Sequence, residues 1–260
     1  VNGGFTLTAN ATGTTTFGST VGAGTALTSL TTDAGGGTTL NGNVRTTGAM
    51  TFNDAVSLNT DVAMTSTGGL ISAAAVDGNH VLTLTAAGAV TVTGAVGAGT
   101  PLATLAVANS GGTTFSGNVG VGTFTLTDTT GAITVNGNLV VTTGMSAAAA
   151  GFSLALNQGA GGQTSTVAGA TTLLNTGTLS IGNVAADSIT FTGGLTATTQ
   201  SQKNLAGTVA TTGTALNLSG TAVVLTADTT VSSGAGNLSL GGTVNGGFTL
   251  TANATGTTTF

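Results

Sequence analysis

Residues Val244–Phe260 repeat Val1–Phe17 without one difference, so 244 − 1 = 243 residues is a period of the sequence. A chain whose end re-enters its own beginning reads as a window onto a tandem array, and its fold must be able to continue into an identical copy of itself. Most closed architectures fail that requirement. A second duplication lies inside the first, at an offset of 75: VGAGTALTSLTTDAGGGTTLNGNV at 21–44 aligns without gaps to VGAGTPLATLAVANSGGTTFSGNV at 96–119, with 14 of 24 positions identical. The likeness continues upstream, VNGGF at 1–5 against VDGNH at 76–80. The organisation expected is one full solenoid unit at 1–243, internally duplicated as 1–44 and 76–119, with 244–260 as the start of the next identical repeat.

A finer motif recurs within these blocks: Thr-containing residues, a large apolar residue, a short turn of Gly, Asn, Ser or Asp, then usually Val or Leu. It reads TTTFGSTV at 14–21, GTTLNGNV at 37–44, AMTFNDAV at 49–56, AVTVTGAV at 89–96 and GTTFSGNV at 112–119, and it continues at 132–139, 188–195 and 237–244. Several neighbouring copies start 37 − 14 = 23, 112 − 89 = 23 and 132 − 112 = 20 positions apart, a spacing that suits one coil of a β-solenoid. Phe5-Thr6-Leu7-Thr8, Leu82-Thr83-Leu84-Thr85 and Phe124-Thr125-Leu126-Thr127 alternate apolar with Thr, the period of a strand with one buried face. Phe, Leu and Val are expected inward and Thr outward, with Asn-Gly at 41–42 and 136–137 and Asp-Gly at 77–78 as tight bends.

The expected fold is therefore all-β, a parallel β-helix (β-solenoid) forming an open-ended tandem repeat. An antiparallel sandwich would also use short strands and Gly-rich turns, but it has no reason to run on into an identical copy. A membrane β-barrel is disfavoured by the absence of Tyr and Trp, the usual interfacial girdle. Ten to twelve coils at ~4.8 Å each would carry one period about 50 to 58 Å.

Composition narrows the chemistry. The 61 Thr and 45 Gly accompany 40% hydrophobic residues and a single proline, Pro101, so this low-complexity chain can bury surface where a disordered or mucin-like one could not. Two basic residues, Arg45 and Lys203, cannot make the stripe of positive charge that nucleic acid needs, and no apolar run reaches the ~18 residues of a spanning helix. Neither nucleic acid nor membrane insertion is expected. Without cysteine there are no disulfides and no thiolate metal sites.

The acids are aspartates at 33, 54, 61, 77, 128, 187 and 228, mostly beside turn residues. Asp54 and Asp61 lie closest in sequence and are the one candidate for a paired-carboxylate site; turn capping is the stronger reading. His80, the sole histidine, aligns with Phe5 at the 75-residue offset, and Asp77 is the acid nearest to it in sequence. A serine triad needs a histidine and an oriented acid together, which this chain does not spell out. No catalytic, cofactor-binding or metal-binding residue is assigned, no cofactor is expected, and the chain is not read as an enzyme. The Thr-x-Thr elements at 83–85, 91–93, 123–125 and 190–192 resemble the outward Thr arrays of ice-binding β-solenoids. Asn-x-Ser/Thr sequons stand at Asn10, Asn217, Asn237 and Asn253.

At the level of 21–44, its copy at 96–119, and TTGAMTFNDAVSL at 46–58, the chain resembles the Thr/Gly/Asn-rich repeats of giant bacterial exoproteins of the filamentous-haemagglutinin and autotransporter-like group. That resemblance implies a right-handed parallel β-helix shaft, an extracellular or bacterial cell-surface location, and a role in adhesion, biofilm or extracellular filaments. Two function classes follow. One is a structural repeat of a filament or adhesin shaft, whose partners are neighbouring repeats of the same or like chains end to end, with lateral bundling. The other is a binding surface in which Thr and Asn arrays engage glycan or ice.

Overall fold

A computed structural model describes residues 1–127 and 129–260. Among the described residues there are 28 strands and no helix. The fold is a parallel β-solenoid of about 12 turns, divided into two compact units, Val1–Gly131 and Ala132–Phe260. Parallel strands cannot be joined by a tight hairpin, and here the rest of each coil serves as the crossover.

In Val1–Gly131 each coil contributes to three ladders. The first stacks Thr6–Ala9, Ser29–Thr32, the first halves of Met50–Leu58 and Ile71–Asp77, then Val90–Val92 and Thr113–Phe115. The second stacks Thr14–Phe17, Gly37–Leu40, the second halves of the same two long strands, then Val96 and Val119. The third runs from Val21 through Val44–Thr46, Val62–Ser66, Val81–Ala86 and Leu102–Asn109 to the end of Val119–Leu126.

Ala132–Phe260 is also built on three ladders. One stacks Ile133–Val135, Leu154–Leu156, Leu179–Ile181 and the starts of Lys203–Thr211 and Val223–Gly234, ending on Val244–Asn245. Another stacks the start of Leu139–Ala147, Thr164–Val167, Ser188–Phe191, the ends of Lys203–Thr211 and Val223–Gly234, and Leu250–Ala254. The third takes the end of Leu139–Ala147, Thr171–Leu173, Leu195–Ala197, Leu216–Asn217, Leu238–Ser239 and Thr258–Thr259. Coil length varies: ladder partners are 29 − 6 = 23 positions apart at Thr6 and Ser29, 55 − 37 = 18 at Gly37 and Ala55, and 166 − 140 = 26 at Val140 and Thr166. The differences are taken up at corners and at local register shifts, between Phe52 and Ala55, Val107 and Asn109, Leu205 and Gly207, and Ser232 and Gly234.

Period-two alternation sends one side chain in and the next out. Met50–Leu58 shows it as buried Met50, Phe52, Asp54, Val56 and Leu58 between more exposed neighbours. Because the ladders are in register, apolar residues stack on apolar residues: Leu30, Met50, Ile71 and Val90 form one buried column. Each fully buried side chain of this size contributes roughly 1.5–3 kcal/mol. Phe115 and Phe124 meet edge to face inside the first unit, centroids 6.0 Å apart.

Phe5 departs from the expected inward placement, being 76% exposed, and its copy Phe248 is 48% exposed. Phe5 precedes the strand, in a tight turn where its N–H donates to the Gly3 carbonyl at 2.8 Å, and Gly3 has φ 132° beneath the ring. The turn rotates the ring away from the interior. His80 occupies the same turn in the second copy, its N–H donating to Gly78 at 2.8 Å.

The 75-residue duplication has a geometric property that the alignment conceals. Each copy keeps its own 23-residue coil: Thr6 pairs with Ser29 and Val81 with Thr104, Thr15 with Thr38 and Val90 with Thr113, Val21 with Val44 and Val96 with Val119. Yet Thr6 is on the first ladder and Val81 on the third, Thr15 on the second and Val90 on the first, Val21 on the third and Val96 on the second. From Thr6 three coils lead to Ile71–Asp77, and Val81 lies two sides further on, so the offset of 81 − 6 = 75 spans three coils and two thirds. Every copied segment lands on a different side.

Gly22 and Gly97 explain the repeated Val-Gly-Ala-Gly. Both have positive φ, 75° and 68°, and a Cβ would come within 2.5 Å of the Arg45 carbonyl oxygen or 2.1 Å of that of Gly120. Gly97→Ala is therefore expected to cost at least about 2 kcal/mol in denaturant unfolding. Gly13→Ala, where a Cβ meets open space, should stay close to the wild type.

Candidate functional site

Among the described residues, most of the aspartates and several asparagines share one structural task. Their side-chain oxygens accept backbone N–H groups from an adjacent coil: Asp33 from Ala11 at 3.1 Å, Asp61 from Val81 at 2.9 Å, Asp77 from Gly99 at 3.0 Å, Asp228 from Thr249 at 2.9 Å. Asn43 does the same for Ala63 at 2.7 Å and Asn237 for Thr257 at 3.0 Å. Asn2, bonded to Gly24 at 2.9 Å, and Asp77, bonded to Gly99, are equivalent in the two copies, so amide and carboxylate serve alike. Corner N–H groups have no ladder partner, and a side-chain acceptor supplies one. Turn capping thus becomes a clamp between coils. Asp128 lies outside the described residues.

Asp187 is the most heavily engaged. It is buried and accepts three N–H groups, from Gln163 at 2.6 Å, Asn183 at 2.8 Å and Val184 at 3.1 Å. Asp54 is also buried, held by the hydroxyls of Thr32 and Thr38, each at 2.9 Å. Asp61 is on the surface. The paired-carboxylate candidate therefore does not form, because alternation turns Asp54 inward while Asp61 sits at an outer corner.

The acid that meets His80 is Asp61, with Nδ1 to Oδ1 at 3.7 Å, and Asp77 points to Gly99 and Thr100 instead. Coil stacking brings together residues 80 − 61 = 19 apart, whereas proximity in sequence suggested Asp77. At 3.7 Å the contact is too long for a hydrogen bond, and as an exposed ion pair it is worth at most about 1 kcal/mol. A shallow hollow of about 300 Å³ beside it is lined by Asn43, Asp61, Val62, Ala63, Val81 and Thr83. None of these is a nucleophile aligned on the histidine. Among the described residues no three metal-ligating side chains gather.

Lys203 is the residue that sequence reading overlooked. It stands in a buried column between Leu179 and Val223, with Nζ donating to the Ser219 carbonyl at 3.0 Å and the Thr221 hydroxyl at 2.6 Å. Burial pushes its ammonium below the usual lysine range. Its partners are neutral, and the neighbouring buried Gln200 leaves Oε1 without a hydrogen bond. The unequal steps of 203 − 179 = 24 from Leu179 and 223 − 203 = 20 to Val223 hide this column in the sequence.

The Thr-x-Thr elements divide. Thr83 stacks between Ala63 and Ala106, and Thr85 between Thr65 and Asn109, so that array is interrupted. Thr93 and Thr192 lie past the ends of their strands, and their hydroxyls turn back on carbonyls, Thr192 on that of Ala168 at 2.6 Å. Neither 91–93 nor 190–192 is the outward pair expected. Of the sequons, Asn217 and Asn237 have side-chain oxygens engaged with Ser219 and Thr257, while Asn10 and Asn253 are exposed.

Two outcomes follow for stability. Asp187→Ala should cost about 3 kcal/mol by orphaning buried N–H groups, and Asp187→Asn clearly less, measured by denaturant unfolding. The lowered folded-state value of Lys203 means that the unfolded chain binds more protons between that value and the ordinary lysine value, about 10.4, so stability rises with pH across that window. Lys203→Met removes the penalty at every pH. Its melting temperature relative to the wild type should therefore fall as pH rises towards ~10.4. Comparison with known proteins found no matching family model, no matching curated protein and no matching solved structure.

Proposed function

We propose that this chain is a structural repeat, one unit of an extracellular bacterial filament or of the shaft of a giant surface adhesin, and that it carries no catalysis. The observation that carries the reading is the phase of the 75-residue duplication. Its copies keep their coils but sit on different ladders, so the duplicated sequence preserves coil formation and not one particular side. A unique site would lose its neighbours on such a shift. A coil keeps everything it needs, because its contacts are to the coil before and the coil after.

The polar side chains support the same reading. Carboxylates and amides are engaged by corner N–H groups between coils and do not gather into a site among the described residues. The bacterial surface location rests on the resemblance of 21–44, 96–119 and 46–58 to the repeats of giant exoproteins.

Electron microscopy of chains holding one, two and three units of the 244 − 1 = 243 period tests the proposal. Particle length should grow by a constant increment of about 50–58 Å per unit. Compact particles of unchanged length would overturn it.

A further inference from the structure

Within Ala132–Phe260, the ladder that ends on Leu250–Ala254 carries two outward columns in strict register. The first is Thr164, Ser188, Thr208, Thr230 and Thr251. The second is Val140, Thr166, Thr190, Ala210, Ser232 and Asn253. Unequal coils hid this order in the sequence, since the steps along the first column are 188 − 164 = 24, 208 − 188 = 20, 230 − 208 = 22 and 251 − 230 = 21.

Corner threonines close to these columns bond to the chain itself, as Thr229 does to the Leu205 carbonyl at 3.1 Å. Among the described residues the column hydroxyls make no such bond. No column position is charged or aromatic, and Val140 is 45% exposed at one end. Asp228 flanks the first column, with its carboxylate on the Thr249 N–H.

We propose that this face is a lateral self-association surface whose partner is the same face of a second copy of the chain. Three properties select that partner. The columns carry no charge, with the single carboxylate of Asp228 beside them held on the Thr249 N–H, so they exert little pull on a charged ligand, and without an aromatic ring they have no platform for a sugar. Its ridges recur at the strand spacing of ~4.8 Å, so a helix with its ~5.4 Å pitch falls about 2.4 Å out of step over five rungs. A second copy matches the spacing at every rung. Shallow hollows of about 220 Å³ beside Gly207, Thr208, Asp228 and Thr230, and about 280 Å³ beside Gly234, Ala252 and Asn253, flank the ridges. A two-fold pairing sets the ridge of one copy against the hollow of the other, as small uncharged side chains interdigitate between stacked sheets.

The contact is small. Five rungs at ~4.8 Å by four residues at ~3.4 Å give about 330 Å² per partner, against the ~800 Å² of a stable complex. Association of single chains is therefore weak and reversible, and it strengthens when several units act together. This adds a lateral partner to the structural-repeat reading without depending on it.

Because the chain has no cysteine, Thr208→Cys at the central rung reports the pairing directly. Mild oxidation should trap a disulfide-linked dimer of Thr208→Cys and not of Thr51→Cys, a control on the first unit. Sedimentation should show concentration-dependent association, weakened at least ten-fold in a Thr190→Lys/Thr230→Lys variant that keeps the wild-type circular dichroism spectrum. A chain monomeric at every concentration, equal trapping at both cysteines, or association unchanged in the double variant would overturn the proposal. So would a monomer that binds polysaccharide or slows ice recrystallisation through these same residues, which would give the face to that ligand.

Discussion

Backbone pairing between successive coils is the constraint on which the rest of this structure depends. Parallel ladders hold each coil ~4.8 Å from the next, and that distance is set by the peptide group and not by any side chain. Side chains then meet whatever lies one coil away. Leu30 meets Met50, Met50 meets Ile71, and Ile71 meets Val90, giving a buried column assembled from residues far apart in the sequence. Polar groups obey the same rule, so Asn2 reaches Gly24, Asp61 reaches Val81 and Asp228 reaches Thr249.

Architecture was legible because its signals are periodic. The identity of Val1–Phe17 and Val244–Phe260, the recurring coil-length motif and the apolar–Thr alternation lead to a parallel solenoid, and coils of the expected length occur at Thr6–Ser29 and Val96–Val119. The meetings of particular side chains were not legible, because the corners change the length of a coil, from 55 − 37 = 18 positions to 166 − 140 = 26, without changing the strands. Sequence proximity therefore sets His80 beside Asp77, although the coil beneath offers Asp61. Nothing in the residues around Lys203 signals burial until its column puts it between Leu179 and Val223. Phe5 reads as core only when alternation is extended one residue past the strand, into the turn closed by Gly3.

The shifted duplication shows what kind of information the sequence carries. A fold with distinct sides could not move a 24-residue block from one side to another, whereas here 21–44 and 96–119 make equivalent coils on different ladders. Glycine holds the same corner conformation in both, at Gly22 and Gly97. The shared content of the block is how to turn a corner and fill a column.

The scarcity of charge follows from the same stacking. A charged residue repeated at one strand position would face its own copy ~4.8 Å away, a repulsion of about 0.9 kcal/mol per rung even at the dielectric constant of water, and more at a half-buried site. Threonine bears the same repetition without penalty and favours extended backbone. The charges present obey this: across the ladders Arg45 lies against Thr65, Asp77 against Ser57, and Lys203 between Leu179 and Val223. Among the described residues no ladder pairs two charged side chains. A content of 3% charged residues accords with in-register stacking, and it leaves few charges along the strand columns. Strand faces with so few charges are what the proposed lateral pairing requires, while exposed acids such as Asp61 and Asp228 are held at the corners, on the N–H groups of Val81 and Thr249.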